Sequence, residues 1–588
     1  MNIKVNRNNL WAKIFIDQLV ALGVKYACIS PGSRSTPLTY TLSKNKKIKC
    51  FISIDERSSA FFALGLAKSS DIPVIVVTTS GTAVAELYPA IIEAYQQRIP
   101  LIICTADRPA ELIGTGANQT INQHNIFRNH IRWFRDLGLP SISETGFHHL
   151  QKVAVKVFNI SSKDDKGPVH LNFPFRKPLE PFSYTDQVNK NIIKLKPQRF
   201  LKGKSSEDRS KKYYKIVEGI TKYDRGIILV GPIDYDRELF RRIKKLSAIL
   251  KYPVFADGLS QLRFNTSKSD RNIVSNFNAI VSSEKFMQKH ETKIILQFGR
   301  TPTSSVIEYF LAETKGDRFI INQYGDLFDP TRNAKAIISI EPKIFCQSLI
   351  TELTELRFRR LHTEWINDFR KAENICNSIK DKMIEKSKFP NEPSIISEII
   401  KAIPSGSHVF IGNSSPVRDL DSFQSNTSKK LTIHFNRGAS GIDGVTSTAL
   451  GIASRNKQTI LITGDLSFLH DLNALSIAKK YSIPITIIVI NNNGGGIFES
   501  LPISQKINKF REYFITPHNL NLSGIVKSFG IDYQLITSRN NLQIHLNKII
   551  NKNFTSVLEI RTKAVKSVDL RNRYFNEVKK KLNKEFSK

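Results

Sequence analysis

The chain has 588 residues, 40% hydrophobic and 24% charged, which is the composition of a folded protein of several domains and excludes a disordered chain. Lys and Arg number 87 against 52 Asp and Glu, a formal net charge of +35. That charge excludes a neutral surface and points to anionic partners: nucleic acid, a membrane surface or acidic small molecules. A biased base composition gives the same excess, so the charge alone does not choose among them. Cys28, Cys50, Cys104, Cys346 and Cys376 are scattered and form no CxxC pair. This argues against a disulfide framework and a zinc cage and fits a reducing compartment. The apolar run at 483–490 is far shorter than the roughly 18 residues of a membrane span. The polar first ten residues do not read as a signal peptide.

In chain order, residues 26–30, 48–55, 73–80 and 100–107 are short apolar runs that read as strands buried on both faces. Helical stretches at 56–69 and 82–97 lie between them. This alternation predicts a parallel sheet with helices on both sides. The stretch 187–212 is rich in Lys, Ser and Asn, without apolar period, and reads as a linker. Strands are predicted again at 226–230, 253–256, 293–298 and 318–322, followed by a long charged helix at 354–387. The last third repeats the first, with strands at 409–413, 431–435, 459–464 and 485–491 and helices at 441–454 and 467–481. The basic tail, 569–588, reads as a solvated terminal helix. The fold class is therefore α/β, with three doubly wound parallel-sheet domains. In TTSGTAVAELYPA and ITGDLSFLHDLNAL a strand ends at a Gly and a helix follows at once, so the outer two domains share one plan.

Ligands of parallel α/β sheets bind beyond the carboxyl ends of the strands. Gly464-Asp465 ends one predicted strand, and Asn491-Asn492-Asn493-Gly494 ends the next after about one helix and one strand. A carboxylate, an amide oxygen and a backbone carbonyl from a Gly-rich turn make a hard-oxygen site suited to Mg²⁺, which completes its octahedron with water and phosphate oxygens. The helix N-terminus near Ser467 adds a positive dipole for a diphosphate. Alone, each half also reads as an N-cap and a turn; the paired spacing favours a metal–diphosphate site.

The GD…NN spacing, with 24 residues between Leu466 and Asn491, resembles the thiamine-diphosphate motif, although Leu466 stands where many members have a small residue. That resemblance implies two related domains, one gripping the diphosphate and one the aminopyrimidine. The aminopyrimidine half needs a carboxylate after a strand of the first domain, and Glu56 is well placed. A Glu facing the ring nitrogen N1′ favours the imino tautomer and so lets the cofactor act as its own base. A helix N-terminal carboxylate is the simpler reading of Glu56 when it is taken alone.

Further motifs narrow the family. SPGSRSTP at 30–37, ADRP at 106–109, GANQT at 116–120, PVHLNFPFRKPL at 168–179, GNS at 412–414 with Arg418, and NRGASGIDG at 436–444 join GDLSFLHDLNAL and NNNGGGIF. Together they resemble the 2-succinyl-5-enolpyruvyl-6-hydroxy-3-cyclohexene-1-carboxylate synthases of menaquinone and phylloquinone biosynthesis. The resemblance covers both outer domains and is weak in the middle. It implies domains at 1–185 (aminopyrimidine-binding), 205–350 (central) and 375–575 (diphosphate-binding). It also implies a reaction: 2-oxoglutarate is decarboxylated and the succinyl carbanion equivalent adds to isochorismate. Both substrates are dicarboxylates, and Arg is the residue best suited to capture them.

Carried over by motif, Ser33, Arg34, Arg108, Asn118 and Gln119 would bind isochorismate, while Ser414, Arg418 and Arg437 would hold the succinyl carboxylate. Glu56 would be catalytic. The cofactor would touch Glu56, Ile442 (as an apolar prop), Asp465, Leu466, Ser467, Asn492, Gly494, Ile497 and Phe498, and Mg²⁺ or Mn²⁺ would bind Asp465, Asn492 and Gly494. In Gly299-Arg300-Thr301-Pro302-Thr303-Ser304-Ser305, Ser305 stands where the family often has a substrate-binding Lys, with Arg300 nearby. His124 and His470 receive no catalytic role. The resemblance further implies a homodimer or homotetramer in the cytoplasm, or in the plastid stroma of a photosynthetic source, with no nucleic-acid or membrane partner. Two alternatives stay open. One is another thiamine-diphosphate 2-oxoacid carboligase or decarboxylase, whose smaller substrates fit the arginines less well. The other is a basic nucleic-acid-binding protein, for which no signature is present.

Overall fold

The computed structural model describes residues 2–190, 214–456, 458–549 and 553–586. Its strands are β1 (Asn2–Val5), β2 (Tyr26–Ile29), β3 (Lys49–Ile52), β4 (Val74–Thr78), β5 (Leu101–Asp107), β6 (Trp133–Asp136), β7 (Val169–Pro174) and β8 (Asp186–Asn189). Next come β9 (Gly226–Val230), β10 (Val254–Ala256), β11 (Ile273–Val274), β12 (Ile294–Phe298), β13 (Asp317–Asn322) and β14 (Ala336–Ser339). The last group is β15 (His408–Ile411), β16 (Thr432–His434), β17 (Thr459–Gly464), β18 (Ile485–Asn491), β19 (Asp532–Ile536) and β20 (Ser556–Arg561). They form three six-stranded sheets, ordered β3-β2-β4-β5-β7-β6, β11-β10-β9-β12-β13-β14 and β16-β15-β17-β18-β20-β19. Every pairing in these sheets is parallel. Among the described residues only β1 and β8 pair antiparallel, as a small separate ribbon. The fold is thus three doubly wound parallel-sheet domains of the α/β class.

The central strands are buried on both faces. Val74–Thr78, Leu101–Asp107, Gly226–Val230 and Ile485–Asn491 are buried at every residue. That requires helices above and below, and explains why these segments are continuous apolar runs and do not alternate. The first and third domains share one apolar cluster, in which Phe61, Phe62 and Leu64 pack with Val445, Ala449 and Leu450. The helices Glu56–Ser70 and Val445–Ala453 meet there backbone to backbone. A Cβ on Gly65 would lie 2.0 Å from the Thr448 carbonyl oxygen, and one on Gly451 would lie 2.2 Å from that of Phe62. Only glycine permits that approach.

Several predicted elements are cut shorter by tertiary bonds. The helix expected at 82–97 is Thr82–Ala85 and Tyr88–Gln97, parted ahead of Pro89. That expected at 441–454 is Val445–Ala453, because Gly444 takes a positive φ of 62° against the Phe61 ring. The 467–481 helix starts at Asp465 and breaks after His470, resuming at Ala474–Lys480. The break belongs to Asp471, whose buried carboxylate accepts from Ser447 N at 2.6 Å, Ser447 Oγ at 2.9 Å and Ser58 Oγ at 3.2 Å. The 354–387 helix is Glu364–Lys386, preceded by a separate Pro342–Glu355 helix. Residues 187–189 of the expected linker lie in β8, and most of the rest falls outside the described residues.

The basic tail is helical as expected, but it is solvated on one face only. It is the second part of a helix, Ala564–Glu585, that buries Leu570, Tyr574, Val578 and Leu582. These positions, four residues apart, place one stripe on the core. The tail packs with Trp365, Phe369 and Phe286, joining the middle domain to the third.

Burial raises the Asp471 carboxyl to about 6. Folding therefore favours its protonated form, and its ionisation costs stability as pH rises from the ordinary range near ~4 through about 6. Melting temperatures measured across that window should show the wild type losing ground to Asp471→Asn as pH rises. Parallel curves would contradict this burial.

Candidate functional site

The carboxyl ends of β17 and β18 lie side by side, since Gly464 pairs with Ile490. Asp465 therefore leaves one strand next to the Asn491–Gly494 turn that leaves the other. Asp465 is 2% exposed, and burial raises its carboxyl above the ordinary range. Its Oδ1 accepts from Leu466 N at 2.9 Å, and its Oδ2 accepts from Gly494 N at 2.9 Å and His518 Nε2 at 3.1 Å. A carboxylate offers about four lone-pair sites, so these three bonds leave one open. Leu520 N donates to His518 Nδ1 at 3.0 Å, so the neutral ring carries its proton on Nε2, facing Asp465.

Asn492 completes the pair. Its Nδ2 donates to Glu392 Oε1 at 2.9 Å. Its Oδ1 is buried and accepts from nothing, a state that costs about 1–3 kcal/mol unless a ligand satisfies it. The turn is glycine by necessity. Gly494 has φ 132°, and a Cβ there would stand 2.0 Å from the Ile515 carbonyl oxygen. Among the described residues no group of three or more His, Cys, Asp or Glu side chains gathers. The donors on offer are thus one carboxylate, one amide oxygen and a backbone carbonyl, a hard-oxygen set that fits Mg²⁺ or Mn²⁺.

Around this pair, Ser467 is buried and its Oγ donates to the Ile442 carbonyl at 2.9 Å. That bond ties the helix start to the segment bearing Ile442, whose side chain is 40% exposed. Phe498 is also open, at 36%, with its ring 6.1 Å from that of Phe514. Leu466 and Ile497 are half-buried. The helix starting at Asp465 is a single short turn-and-a-half, so its dipole contribution is small.

Two arginine pairs stand at other strand ends. Arg34, beyond β2, is 6% exposed and donates through Nη1 to the Phe175 carbonyl at 2.6 Å, while its Nε is buried without a partner. Burial and then the nearby Arg108 lower its pKa, against Asp107. Arg108, beyond β5, donates through Nη2 to the Asn118 carbonyl at 2.7 Å. Ser33, Asn118 and Gln119 are exposed beside them, and Gln119 takes a positive φ of 58°. Ser414, beyond β15, has φ 69° and accepts through its carbonyl from Arg418 Nη1 at 2.9 Å. Burial and then Arg437 lower the Arg418 pKa. Arg437 donates to Asn413 Oδ1 at 3.4 Å.

Glu56 is the first residue of the Glu56–Ser70 helix. Asp55 caps that helix, accepting from Ser58 N at 3.0 Å. Burial, then Asp55 and Glu86, raise the Glu56 carboxyl, and among the described residues no side chain hydrogen-bonds it. No hydrogen bond or ion pair among the described residues joins Glu56 or the Arg34–Arg108 pair to the Asp465–Asn492 site of the same chain.

Arg300 points to the first domain, donating to the Gln96 carbonyl at 2.7 Å, and Ser305 opens the Ser305–Glu313 helix. His470 lies against Arg57, and His124 is 3.0 Å from Asp136. Sequence reasoning missed His518, Glu392 and Glu93. Glu93 accepts Gly438 N at 2.8 Å and Ala439 N at 2.6 Å, holding the loop that carries Arg437. Thr516-Pro517-His518 has no spacing cue to Asp465, and Glu392 reads as an ordinary helix N-terminal acid.

Comparison with known proteins places this chain in a family. Residues 11–126 match the thiamine pyrophosphate enzyme N-terminal TPP binding domain, 421–560 the C-terminal TPP binding domain, and 198–411 the middle domain of thiamine pyrophosphate enzymes. The 2-succinyl-5-enolpyruvyl-6-hydroxy-3-cyclohexene-1-carboxylate synthase of Trichodesmium erythraeum (strain IMS101) is 37% identical over 565 residues, covering 94% of this chain and 95% of that protein. The synthase of the same name from Geobacillus kaustophilus (strain HTA426) is 34% identical over 582 residues, covering 98% and 99%. That from Haloquadratum walsbyi is 33% identical over 613 aligned positions, with the same coverage. The chain belongs to this synthase family. Its three domains are those of thiamine pyrophosphate enzymes, and the two matched TPP binding domains contain Glu56 and the Asp465–Gly494 turn respectively.

Replacing Gly494 with Ala forces the turn off Ile515. Thiamine diphosphate affinity measured by calorimetry with Mg²⁺ should fall by about tenfold or more. Unchanged affinity would contradict this geometry.

Proposed function

We propose that this protein decarboxylates 2-oxoglutarate on thiamine diphosphate and adds the succinyl carbanion equivalent to isochorismate by conjugate addition. The products are CO₂ and 2-succinyl-5-enolpyruvyl-6-hydroxy-3-cyclohexene-1-carboxylate, in menaquinone or phylloquinone biosynthesis. The observation that carries this reading is the two like-charged arginine pairs. Arg34 sits near Arg108, and Arg418 near Arg437; after burial, Arg108 is the cause that lowers the Arg34 pKa and Arg437 the cause that lowers that of Arg418. Such crowding of cations calls for anions, and each pair suits a carboxylate. Two dicarboxylate substrates supply them, and the relatives' names agree.

Bound thiamine diphosphate supplies the nucleophilic carbon and the electron sink for decarboxylation. Asp465, Asn492 and the Gly494 carbonyl would hold Mg²⁺ or Mn²⁺, which would neutralise the charge of its diphosphate. Leu466 and Ser467 line that end. Ile442, Ile497 and Phe498 give the rings an apolar wall, consistent with the exposure of Ile442 and Phe498. Glu56, with its raised carboxyl, holds a proton at the aminopyrimidine N1′. Ser33, Arg34, Arg108, Asn118 and Gln119 orient isochorismate, while Ser414, Arg418 and Arg437 hold the succinyl carboxylate. The working domains are 1–185, 205–350 and 375–575, each built round one of the three sheets.

We further propose that the functional unit is at least a homodimer, with Glu56 serving the metal site of the partner subunit. Ile54, two residues from Glu56, is 78% exposed, an apolar side chain suited to burial in a subunit contact. The five cysteines are unpaired, which supports a reducing compartment, the cytoplasm or plastid stroma. No helix among the described residues is long and apolar enough to cross a membrane.

Purified protein with thiamine diphosphate, Mg²⁺, 2-oxoglutarate and isochorismate should consume isochorismate absorbance. Glu56→Gln and Asp465→Ala should each lower kcat by at least about a hundredfold. Equal turnover with pyruvate in place of 2-oxoglutarate would overturn the substrate reading. Mixing the two inactive variants should restore about a quarter of wild-type activity, since half the dimers are mixed and each holds one intact site. No recovery would place both residues in one subunit's site.

A further inference from the structure

Asn492 is a metal ligand only if its oxygen, and not its amide nitrogen, faces the cation. A carboxamide has both at its tip, similar in size and opposite in hydrogen-bonding sense. Something must decide which end points where. At Asn492 the deciding group is Glu392. Its carboxylate is 1% exposed, and its Oε1 receives the Asn492 Nδ2 at 2.9 Å and the Thr562 hydroxyl at 3.2 Å. An ionised carboxylate only accepts, so it draws the NH₂ end and leaves Oδ1 on the other side, buried and unpaired.

Glu392 is itself held. Its Oε2 accepts from Arg571 Nη2 at 2.6 Å, and Ser567 Oγ meets its backbone N–H at 3.2 Å. Arg571 also grips Asp419, through Nε at 2.7 Å and Nη2 at 2.6 Å. Asp419 follows Arg418 in the Ser415–Phe423 helix. Arg571 and Ser567 ride on the C-terminal helix, which is anchored by Leu570, Tyr574, Val578 and Leu582. One half-buried cation thus joins the amide behind the proposed metal position to the helix bearing a proposed substrate arginine.

We infer that Glu392, braced by Arg571, is the positioning residue that turns the Asn492 carboxamide oxygen toward the divalent cation. This rests on the reading of Asn492 as a metal ligand. Outer partners that orient a ligand typically change metal affinity about 10–100-fold when replaced. Glu392→Gln keeps the size of the side chain, and Arg571 keeps Asp419 as its counter-ion. The new amide directs its oxygen to Arg571 and its NH₂ to Asn492, which turns the Asn492 nitrogen toward the cation.

The test is Mn²⁺ affinity, read as free Mn²⁺ by electron paramagnetic resonance, with saturating thiamine diphosphate and no substrate. Glu392→Gln should weaken Mn²⁺ binding about 10–100-fold while the cofactor-free melting temperature stays near wild type. The same substitution made together with Asn492→Asp, where both tips are oxygen, should not weaken binding relative to Asn492→Asp alone. Equal weakening in both backgrounds, or none in the first, overturns the inference. Should Glu392→Gln fail to fold, Arg571→Lys replaces it in the same comparison; it keeps the charge but loses the fork that spans both carboxylates. A wild-type protein with no thiamine-diphosphate-dependent Mn²⁺ binding would overturn the metal-site reading itself, a result distinct from any difference between variants.

Discussion

A buried oxygen with nothing to accept is the constraint on which the rest of this structure turns. Asn492 Oδ1 is sealed from solvent without a donor, beside an Asp465 carboxylate that burial makes reluctant to ionise. An unpaired buried oxygen and a buried charge both oppose folding, and a divalent cation between them, as proposed, would relieve both at once. The adjoining architecture serves that arrangement. Parallel pairing of β17 with β18 sets the two side chains next to each other. Gly494 turns the chain where no Cβ fits, and its N–H fixes Asp465 Oδ2. His518 and Glu392 hold the two side chains from behind.

The second requirement is that the first and third domains of one chain keep a fixed relation, so that in the proposed dimer each presents its residues to the partner subunit in one geometry. Gly65 and Gly451 let two helices touch through their backbones, and one apolar cluster spans both domains. Polar contacts tighten the same seam. Asp471 gathers Ser58 and Ser447, and Glu93 reaches across to Gly438 and Ala439. The Arg437 loop is therefore set by a carboxylate from the other domain. A molecule with a charge of +35 spends only a few of its cations in this way. Arg34, Arg108 and Arg437 follow strand ends and Arg418 lies in the helix after β15, where the proposed substrates would bring carboxylates, while the half-buried Arg571 sits between two buried acids.

What was legible in the sequence was what is local. Strand, glycine, acid and helix follow one another directly at Gly464-Asp465, and the Asn-Gly turn follows the next strand, so the juxtaposition of the proposed metal donors is legible in one spacing. The doubly buried strands announced themselves as unbroken apolar runs, which is why the parallel sheets were expected. The groups behind the donors were hidden because their partners are distant: Glu392 lies 100 residues before Asn492, and His518 lies 53 after Asp465. Helix ends were misjudged for the same reason. Residues 467–481 carry a helical period, and at its interruption Asp471 accepts from Ser58 and Ser447 while Asn473 donates to Asp55. The tail docks through Leu570, Tyr574, Val578 and Leu582, spaced four residues apart within an otherwise basic helix.

The claim that Asp465 and Asn492 share a cation is tested most directly by diffraction. Crystals grown with thiamine diphosphate and Mn²⁺ should give an anomalous peak at the manganese edge within coordination distance of Asp465, Asn492 Oδ1 and the Gly494 carbonyl, roughly 2.0–2.3 Å for a hard cation of this size. A well-occupied peak elsewhere, or bound cofactor with Asn492 Oδ1 still unpaired and no peak beside it, would contradict the account.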